Sequence, residues 1–423
     1  MRKKIVTHKE RKIVLENFIS LTTLQGINYI LPLLVLPYLV RVIGMEKFGL
    51  IAFAQSLVQY FMILTDYGFS LSATKKISLC GEQHKKVSAI FSSVMTVKLM
   101  FAGISGLALC AILYFVPKFR HDWLVYILSF GAVIGNTLFP VWFFQGKEKM
   151  SYITVLNVIG GITYAICIFI FIKEPQDYLF VPALSSLLFI ISGIGGLYIA
   201  FRRFSLEFVL QKYTDIRKEL RTGWDIFISI LSVNAYTTTR VFAVGLLTNN
   251  VLTGYYSLAE KIANVIQSFP MDSFTQAVFP RISKVFAKNK QRAVAIMYRI
   301  QDGITLGFVI SLPIAFFLAP WIIRFACGYQ SKEIILTLRL LLGGVFFVGA
   351  NAFKVQFLLV CGKPDLFALV HILAAIIGLP LIFLLILKFS YLGAAISTVL
   401  IEAGVFILTS IIVDKIVKRI IKK

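Results

Sequence analysis

Long apolar runs separated by short polar stretches dominate the chain. They fall at 17–40, 48–70, 88–116, 123–145, 151–172, 178–201, 223–248, 252–280, 297–320, 333–361, 365–388 and 391–413. A helix rises 1.5 Å per residue, so roughly 20 residues cross a hydrocarbon layer of about 30 Å. The pattern therefore predicts an all-α integral membrane protein with about twelve transmembrane helices. The eighth run is the least apolar, because it contains Glu260, Lys261 and Asp272. Its alternative reading is an amphipathic helix lying at the membrane interface.

The two halves of the pattern echo each other. Phe18-Ile19-Ser20-Leu21 in the first run matches Phe227-Ile228-Ser229-Ile230 in the seventh. Gly49, Ala54, Gln59 and Lys76-Ile77-Ser78 match Gly254, Ala259, Asn264 and Arg281-Ile282-Ser283 at one constant spacing. Six spans per half leave both halves in the same orientation, related by an axis along the membrane normal, as in many transporters. The expected organisation is an N-terminal lobe over 1–201, a linker over 202–222 and a C-terminal lobe over 223–423. The linker is basic and mixed, and could lie as an amphipathic helix on the inner surface.

Composition sharpens this picture. Of the 423 residues 58% are hydrophobic and only 15% charged, and the mean hydropathy is +0.84. Soluble domains carry about 25% charged residues. The net charge of +23 would suggest nucleic acid in a soluble protein. Here the charges lie between the apolar runs, so a membrane protein without a nucleic-acid partner is the better reading. Most of the 43 Lys and Arg fall at the two ends and in the even-numbered connections, such as Arg202, Arg203, Lys212, Arg217, Lys218 and Arg221. The positive-inside rule then puts both termini in the cytoplasm. The odd connections are short, which leaves no room for an outer domain. Cys80, Cys110, Cys167, Cys327 and Cys361 show no disulfide or zinc spacing. The basic start runs into the first apolar segment without a small-residue cleavage site, so the first span is expected to be retained.

Polar residues inside the runs carry the functional signal, since each is costly in hydrocarbon. Asn17, Gln25, Asn28 and Pro32 share a face of span one, and Gln55, Gln59 and Asp66 share one of span two. Ser229, Ser232, Tyr236 and Arg240 form a stripe on span seven, and Ser257, Lys261, Asn264, Ser268 and Asp272 form one on span eight. A central wet cavity between two six-helix lobes, lined by these four spans, accounts for them together. Interhelical hydrogen bonding uses the same residue types and is the plainer alternative. Lys98, Arg240 and Lys261 lie too deep to reach an interface and cost roughly 2.5–3.5 kcal/mol each on insertion scales. An excess of cations points to an anionic ligand. The acids Asp66, Glu260, Asp272 and Glu402 are candidate counter-ions, and the first three are candidate ion-coupling sites. Glu260 and Lys261 are adjacent, so they diverge by about 100° on a helix and do not pair directly. Arg339 and Lys354 lie nearer the ends of span ten, where snorkelling is open to both.

No phosphate-binding loop, HExxH or GxSxG occurs. His371 stands alone in span eleven, where a lone His is more often packed than ligating. No catalytic set, metal site or cofactor site can be assembled, so a non-enzyme is expected.

The stretch from Asn17 to Ser78, beginning NFISLTTLQGINYILPLL, resembles the start of the bacterial O-antigen flippases, the Wzx-type polysaccharide transporters. The segment from Pro140 to Met150, PVWFFQGKEKM, and Phe279-Pro280-Arg281-Ile282-Ser283 resemble that family too. The resemblance is strongest in the first eighty residues. It implies a two-lobed fold of twelve spans shared with drug/cation antiporters and lipid II flippases. It implies an inner-membrane protein that moves undecaprenyl-pyrophosphate-linked oligosaccharide to the outer leaflet, working with a polymerase and a chain-length regulator. On that basis Arg240, Lys261 and Lys98 are expected to attract the pyrophosphate and sugar acids. Gln25, Asn28, Gln59 and Asn264 are expected to contact sugar hydroxyls. Capsule or exopolysaccharide units are alternative cargo, and a drug/cation antiporter or a membrane polymerase or ligase is a rival reading.

Overall fold

The computed structural model describes the backbone of residues 8–81, 83–209 and 211–421. Side chains are described over the same ranges apart from 8–25, 27–30, 269–270, 272–281, 283–284, 287 and 421. Among these residues there are helices and connections but no strands. The helices are α1 (His8–Asp66), α2 (Phe69–Cys80), α3 (His84–Phe115), α4 (Pro117–Arg120), α5 (Trp123–Leu138), α6 (Val141–Gly146), α7 (Met150–Phe171) and α8 (Phe180–Phe204). They continue with α9 (Tyr213–Thr237), α10 (Thr239–Leu247), α11 (Asn250–Lys288), α12 (Lys290–Cys327), α13 (Lys332–Val360), α14 (Pro364–Phe389) and α15 (Tyr391–Ile421).

Among the described residues nine helical stretches are long and apolar enough to cross a membrane, or ten if the bent pair α9 and α10 counts as one span. The difference from twelve has two causes. The polar stretch between the first two apolar runs is not a loop. Helix α1 passes through it and bends at Gly44 (φ 76°, ψ 168°), a backbone conformation costly for any residue with a Cβ. One continuous stretch, Leu31–Cys80, therefore holds the end of the first run and all of the second. The eighth run is helical as part of α11, but α11 is not among the sufficiently apolar stretches. Glu260 and Lys261 lower its hydropathy, as the sequence led one to expect.

The chain forms two compact units, Met1–Ile43 with Ala54–Ile230, and Gly44–Phe53 with Leu231–Lys423. The ten residues Gly44–Phe53 thus pack with the C-terminal half.

The first unit is built on an aromatic core. Helix α5 ends before Pro140, whose ring and missing N–H stop the ladder, and the short α6 follows. This drives Trp142, Phe143 and Phe144 into full burial. Phe91 of α3 meets Trp142 at 5.4 Å and Phe143 edge-on at 5.6 Å between ring centroids. The linker is not one amphipathic helix. Residues 205–209 and 211–212 are non-helical and lie along α3, whose serines stand in for a neighbouring strand. The Glu207 N–H donates to Ser88 Oγ at 3.2 Å and the Val209 N–H to Ser92 Oγ at 2.9 Å. Ser93 Oγ donates to Gln211 Oε1 at 2.9 Å. Residues 213–222 already belong to α9. Lys76 of α2 grips Glu219 of α9 at 2.7 Å.

The second unit is held by close helix crossings. A Cβ on Gly49 would overlap the Asn250 carbonyl oxygen at 1.8 Å, and one on Gly254 would meet the Met45 oxygen at 2.4 Å. Only glycine lets these backbones approach, the usual device in membrane helix packing. Gln301 of α12 pins α13 by donating to the Gly349 carbonyl at 3.1 Å and accepting from the Phe353 N–H at 3.1 Å. A buried amide needs such partners, since an orphan donor or acceptor costs roughly 1–3 kcal/mol.

Candidate functional site

The polar groups inside the spans fall into two sets, one in each unit. In the first unit Gln55 and Gln59 of α1 are exposed, whereas Ser56, Leu57 and Val58 between them are buried. A lipid-facing surface would be apolar at such positions. Gln55 and Gln59 thus stand one turn apart on one exposed stripe of the helix. Further along α1, Asp66 is half-exposed and its Oδ1 lies 3.8 Å from Lys98 Nζ of α3. Lys98 is only 2% exposed and also donates to the Asn136 carbonyl of α5 at 3.2 Å. The ammonium is thus compensated inside the unit. Immediately after Asp66 the helix breaks at Tyr67 and Gly68, both with positive φ. Tyr67 stacks on Phe227 of α9 at 4.6 Å, which holds the break in place.

In the second unit the stripe of span seven turns inward. Ser232, Tyr236 and Arg240 are all buried. The sequence bends the chain here. Three consecutive threonines, Thr237 to Thr239, span the junction of α9 and α10, and the two helices meet at 45°. Thr237 Oγ1 donates back to the Val233 carbonyl at 3.1 Å, and Thr239 bonds likewise to Ala235. Such back-bonding competes with the ladder and bends helices.

The bend delivers Arg240 to Glu402 of α15, with Nη2 and Oε1 3.0 Å apart. The guanidinium also lies 5.8 Å from the centre of the Tyr236 ring. Tyr236 in turn shares a 3.0 Å hydrogen bond with His371 Nδ1 of α14. Tyr256 of α11, fully buried, donates to Glu260 Oε1 at 3.2 Å and lies 3.5 Å from Thr398 Oγ1 of α15. The result is a buried polar network of two carboxylates, one guanidinium, two phenols and an imidazole. On the same helix Lys261 and Asn264 are exposed while Ile262 and Ala263 are buried.

The three candidate cations therefore occupy different settings. Lys98 and Arg240 are buried and paired with Asp66 and Glu402, two of the acids the sequence offered as counter-ions. The Lys261 side chain is exposed and has no ion-pair partner among the described residues. Gln59 and Asn264 are exposed, each on its own stripe. Glu260 is half-buried and held by Tyr256. The side chains of Gln25, Asn28 and Asp272 lie outside the described residues. Sequence reasoning set His371 aside and did not single out Tyr256 or Thr398. The one available signal was the four-residue step from Tyr256 to Glu260, which places both on one helical face.

Residues 14–286 match the family described as "Polysaccharide biosynthesis protein". A relative named "Putative O-antigen transporter" from Escherichia coli (strain K12) is 29% identical over 383 residues, spanning 90% of this chain and 92% of its own. Among solved structures, the lipid II flippase MurJ in an inward closed conformation superposes with a TM-score of 0.72 at 14% identity, covering 95% of this chain and 87% of its own. An inward-facing multidrug resistance MATE family transporter of the MOP superfamily also gives 0.72, at 13% identity over 93% and 96%. At such identities the two structures establish a shared all-α membrane transporter fold.

Proposed function

The chain belongs to the polysaccharide biosynthesis protein family, and from that premise we propose that it is a flippase for undecaprenyl-pyrophosphate-linked O-antigen repeat units. It is a multi-pass polysaccharide transporter and not an enzyme. In the proposed cycle the lipid-linked unit moves from the cytoplasmic to the periplasmic leaflet of a bacterial inner membrane by alternating access, and both chain termini stay in the cytoplasm. A polymerase and a chain-length regulator would act on the delivered units.

The observation that carries this reading is the two exposed polar stripes on helix segments whose other faces are buried, Gln55 with Gln59 on α1 and Lys261 with Asn264 on α11. A sugar unit brings many hydroxyls, each costing roughly 1–3 kcal/mol if stripped of water and left unpaired. Amides that both donate and accept replace that water. Lys261, the exposed cation, offers a charge-assisted bond to pyrophosphate or a sugar acid. Lys98 and Arg240 hold their charges in reserve behind Asp66 and Glu402, so an anionic head group would have to displace a carboxylate to reach them. Asp66, Glu260 and Asp272 are the proposed ion-coupling acids.

Capsule or exopolysaccharide units would use the same chemistry with different sugars. A drug antiporter is the remaining rival. Deleting the gene tests the choice: loss of surface polysaccharide, restored by the intact gene, supports the proposal. Unchanged polysaccharide with new drug sensitivity would overturn it.

A further inference from the structure

We infer that Asp302, Lys354 and Asp414, at one end of the second unit, bind a zwitterionic phospholipid whose headgroup carries a primary ammonium, as in phosphatidylethanolamine. This site concerns the surrounding bilayer and does not rest on the flippase reading.

Helix α13 packs against both α12 and α15, and each of the three contributes one charge. Asp302 lies on α12, Lys354 on α13 and Asp414 on α15. Both carboxylates act on Lys354 and on Tyr298 of α12, so these groups share one neighbourhood. Yet no two of the three charges form an ion pair. Lys354 Nζ donates instead to Ser410 Oγ at 2.8 Å and lies 4.5 Å from the centre of the Phe406 ring. Asp414 Oδ1 accepts from the Tyr298 hydroxyl at 3.0 Å. Asp302 is exposed and makes no hydrogen bond among the described residues. Opposite charges are thus held close but apart, and each keeps bonding capacity: two N–H groups on Lys354, and free carboxylate lone pairs on both acids. Arg299, Lys415 and Lys418, exposed on the same helices, pair with neither acid among the described residues.

A second observation points to a ligand in the same seam. Asn351, one turn before Lys354, is 5% exposed, and its Nδ2 donates to Thr409 Oγ1 at 3.5 Å. Its Oδ1 is buried with no partner among the described residues. The α13–α15 crossing therefore keeps a spare acceptor beside the Lys354–Ser410 bond.

Position along the helices makes that ligand a lipid. Asp302 and Lys354 lie five and seven residues inside the ends of their apolar runs, and Asp414 lies one residue beyond its own. The runs of α12 and α13 exceed the roughly 20 residues that cross hydrocarbon, so all three charges fall near its edge. Deeper in the bilayer the same faces turn apolar and exposed. Leu306 and Ile310 follow Asp302 by one and two turns, and Ile411 and Ile407 precede Asp414 likewise; all four are about half exposed or more. A polar head above an apolar track complements an amphiphile and not a soluble ion. By the positive-inside reading this is the cytoplasmic leaflet.

The headgroup chemistry follows from the charges. A phosphate takes charge-assisted bonds from Lys354. An ammonium, with three donors, reaches Asp302 and Asp414. A purely anionic headgroup would meet two carboxylates and one ammonium. A choline headgroup has no N–H to donate.

Native mass spectrometry of the full-length protein in detergent tests this, with equimolar phosphatidylethanolamine, phosphatidylcholine and phosphatidylglycerol of matched chains. Wild type should retain phosphatidylethanolamine severalfold over the other two. Asp302→Asn should lose most of that preference, and Lys354→Met should lower retention of both zwitterionic lipids. Thermal unfolding checks folding; Asp302 bonds nothing within the described protein, so Asp302→Asn should fold and decides alone if Lys354→Met does not. Soluble phosphoethanolamine should not compete at the lipid's concentration. Equal retention of phosphatidylethanolamine and phosphatidylcholine by wild type, an undiminished preference in Asp302→Asn, or competition by soluble phosphoethanolamine would each overturn the lipid site and leave the transport reading standing.

Discussion

Gly49 and Gly254, which occupy matching places in the two halves of the sequence, touch one another: a Cβ built on Gly254 comes within 3.5 Å of Gly49 Cα. Three further matched pairs with described side chains also share their surroundings. Ala54 and Ala259 are fully buried, Ile77 and Ile282 are buried, and Gln59 and Asn264 are exposed. At these positions the match is one of environment as well as letters. Gly49→Leu should overpack this crossing by more than the 1–3 kcal/mol typical of small-to-large changes, since the clash is with backbone. Thermal unfolding of the purified protein should show a large drop, whereas Gly103→Ala, with nothing within 4 Å of its Cβ, should unfold like wild type.

Removing one member of the Arg240–Glu402 pair strands the other. Arg240→Ala or Glu402→Ala should each cost about 3–5 kcal/mol, as for other broken buried pairs. Arg240→Met combined with Glu402→Leu should recover most of that stability. A double-mutant cycle on unfolding midpoints would read the coupling, and additive losses would contradict it.

The Lys98–Asp66 pair should respond asymmetrically. Asp66→Asn leaves an ammonium that is 2% exposed with only the Asn136 carbonyl for support. Lys98→Met leaves a carboxylate that is already half-exposed. Asp66→Asn should therefore be the more damaging in folded yield and unfolding temperature. Equal effects would show that Lys98 is wetter than its burial implies.

Trp142, Phe143 and Phe144, in one of the most family-like stretches of the sequence, are core residues. Trp142→Ala should cost about 3–5 kcal/mol through the cavity it opens among Phe91, Phe143 and their neighbours. Surface polysaccharide per folded molecule should not change.

What the sequence made legible follows from local period and hydropathy. The spans, their amphipathic faces and the exposure of Gln59, Lys261 and Asn264 all come from helical spacing within one element. The inward turn of Arg240 was not legible, because it depends on the threonine bend and on Glu402, which is far away in sequence. The cost of a buried charge nevertheless forced the expectation of counter-ions, and Asp66 and Glu402 fill that role. The absent loop at residue 44 escaped notice because one glycine with positive φ does what a polar connection usually does. His371 looked isolated for the same reason as Arg240: its partner, Tyr236, comes from another helix.

Lys261→Ala, and the pair Gln59→Leu with Asn264→Leu, should lower surface polysaccharide severalfold while the protein still inserts, as judged by membrane-fraction blots. Full polysaccharide output in these variants would remove the exposed stripes from the transport path.

The central claim is tested most directly by locating lipid-linked repeat units in cells that lack the gene. Leaflet-selective labelling of intact and opened spheroplasts should find single units confined to the inner leaflet, and restored to the outer one by the intact gene. Units that reach the outer leaflet without this protein would contradict the account.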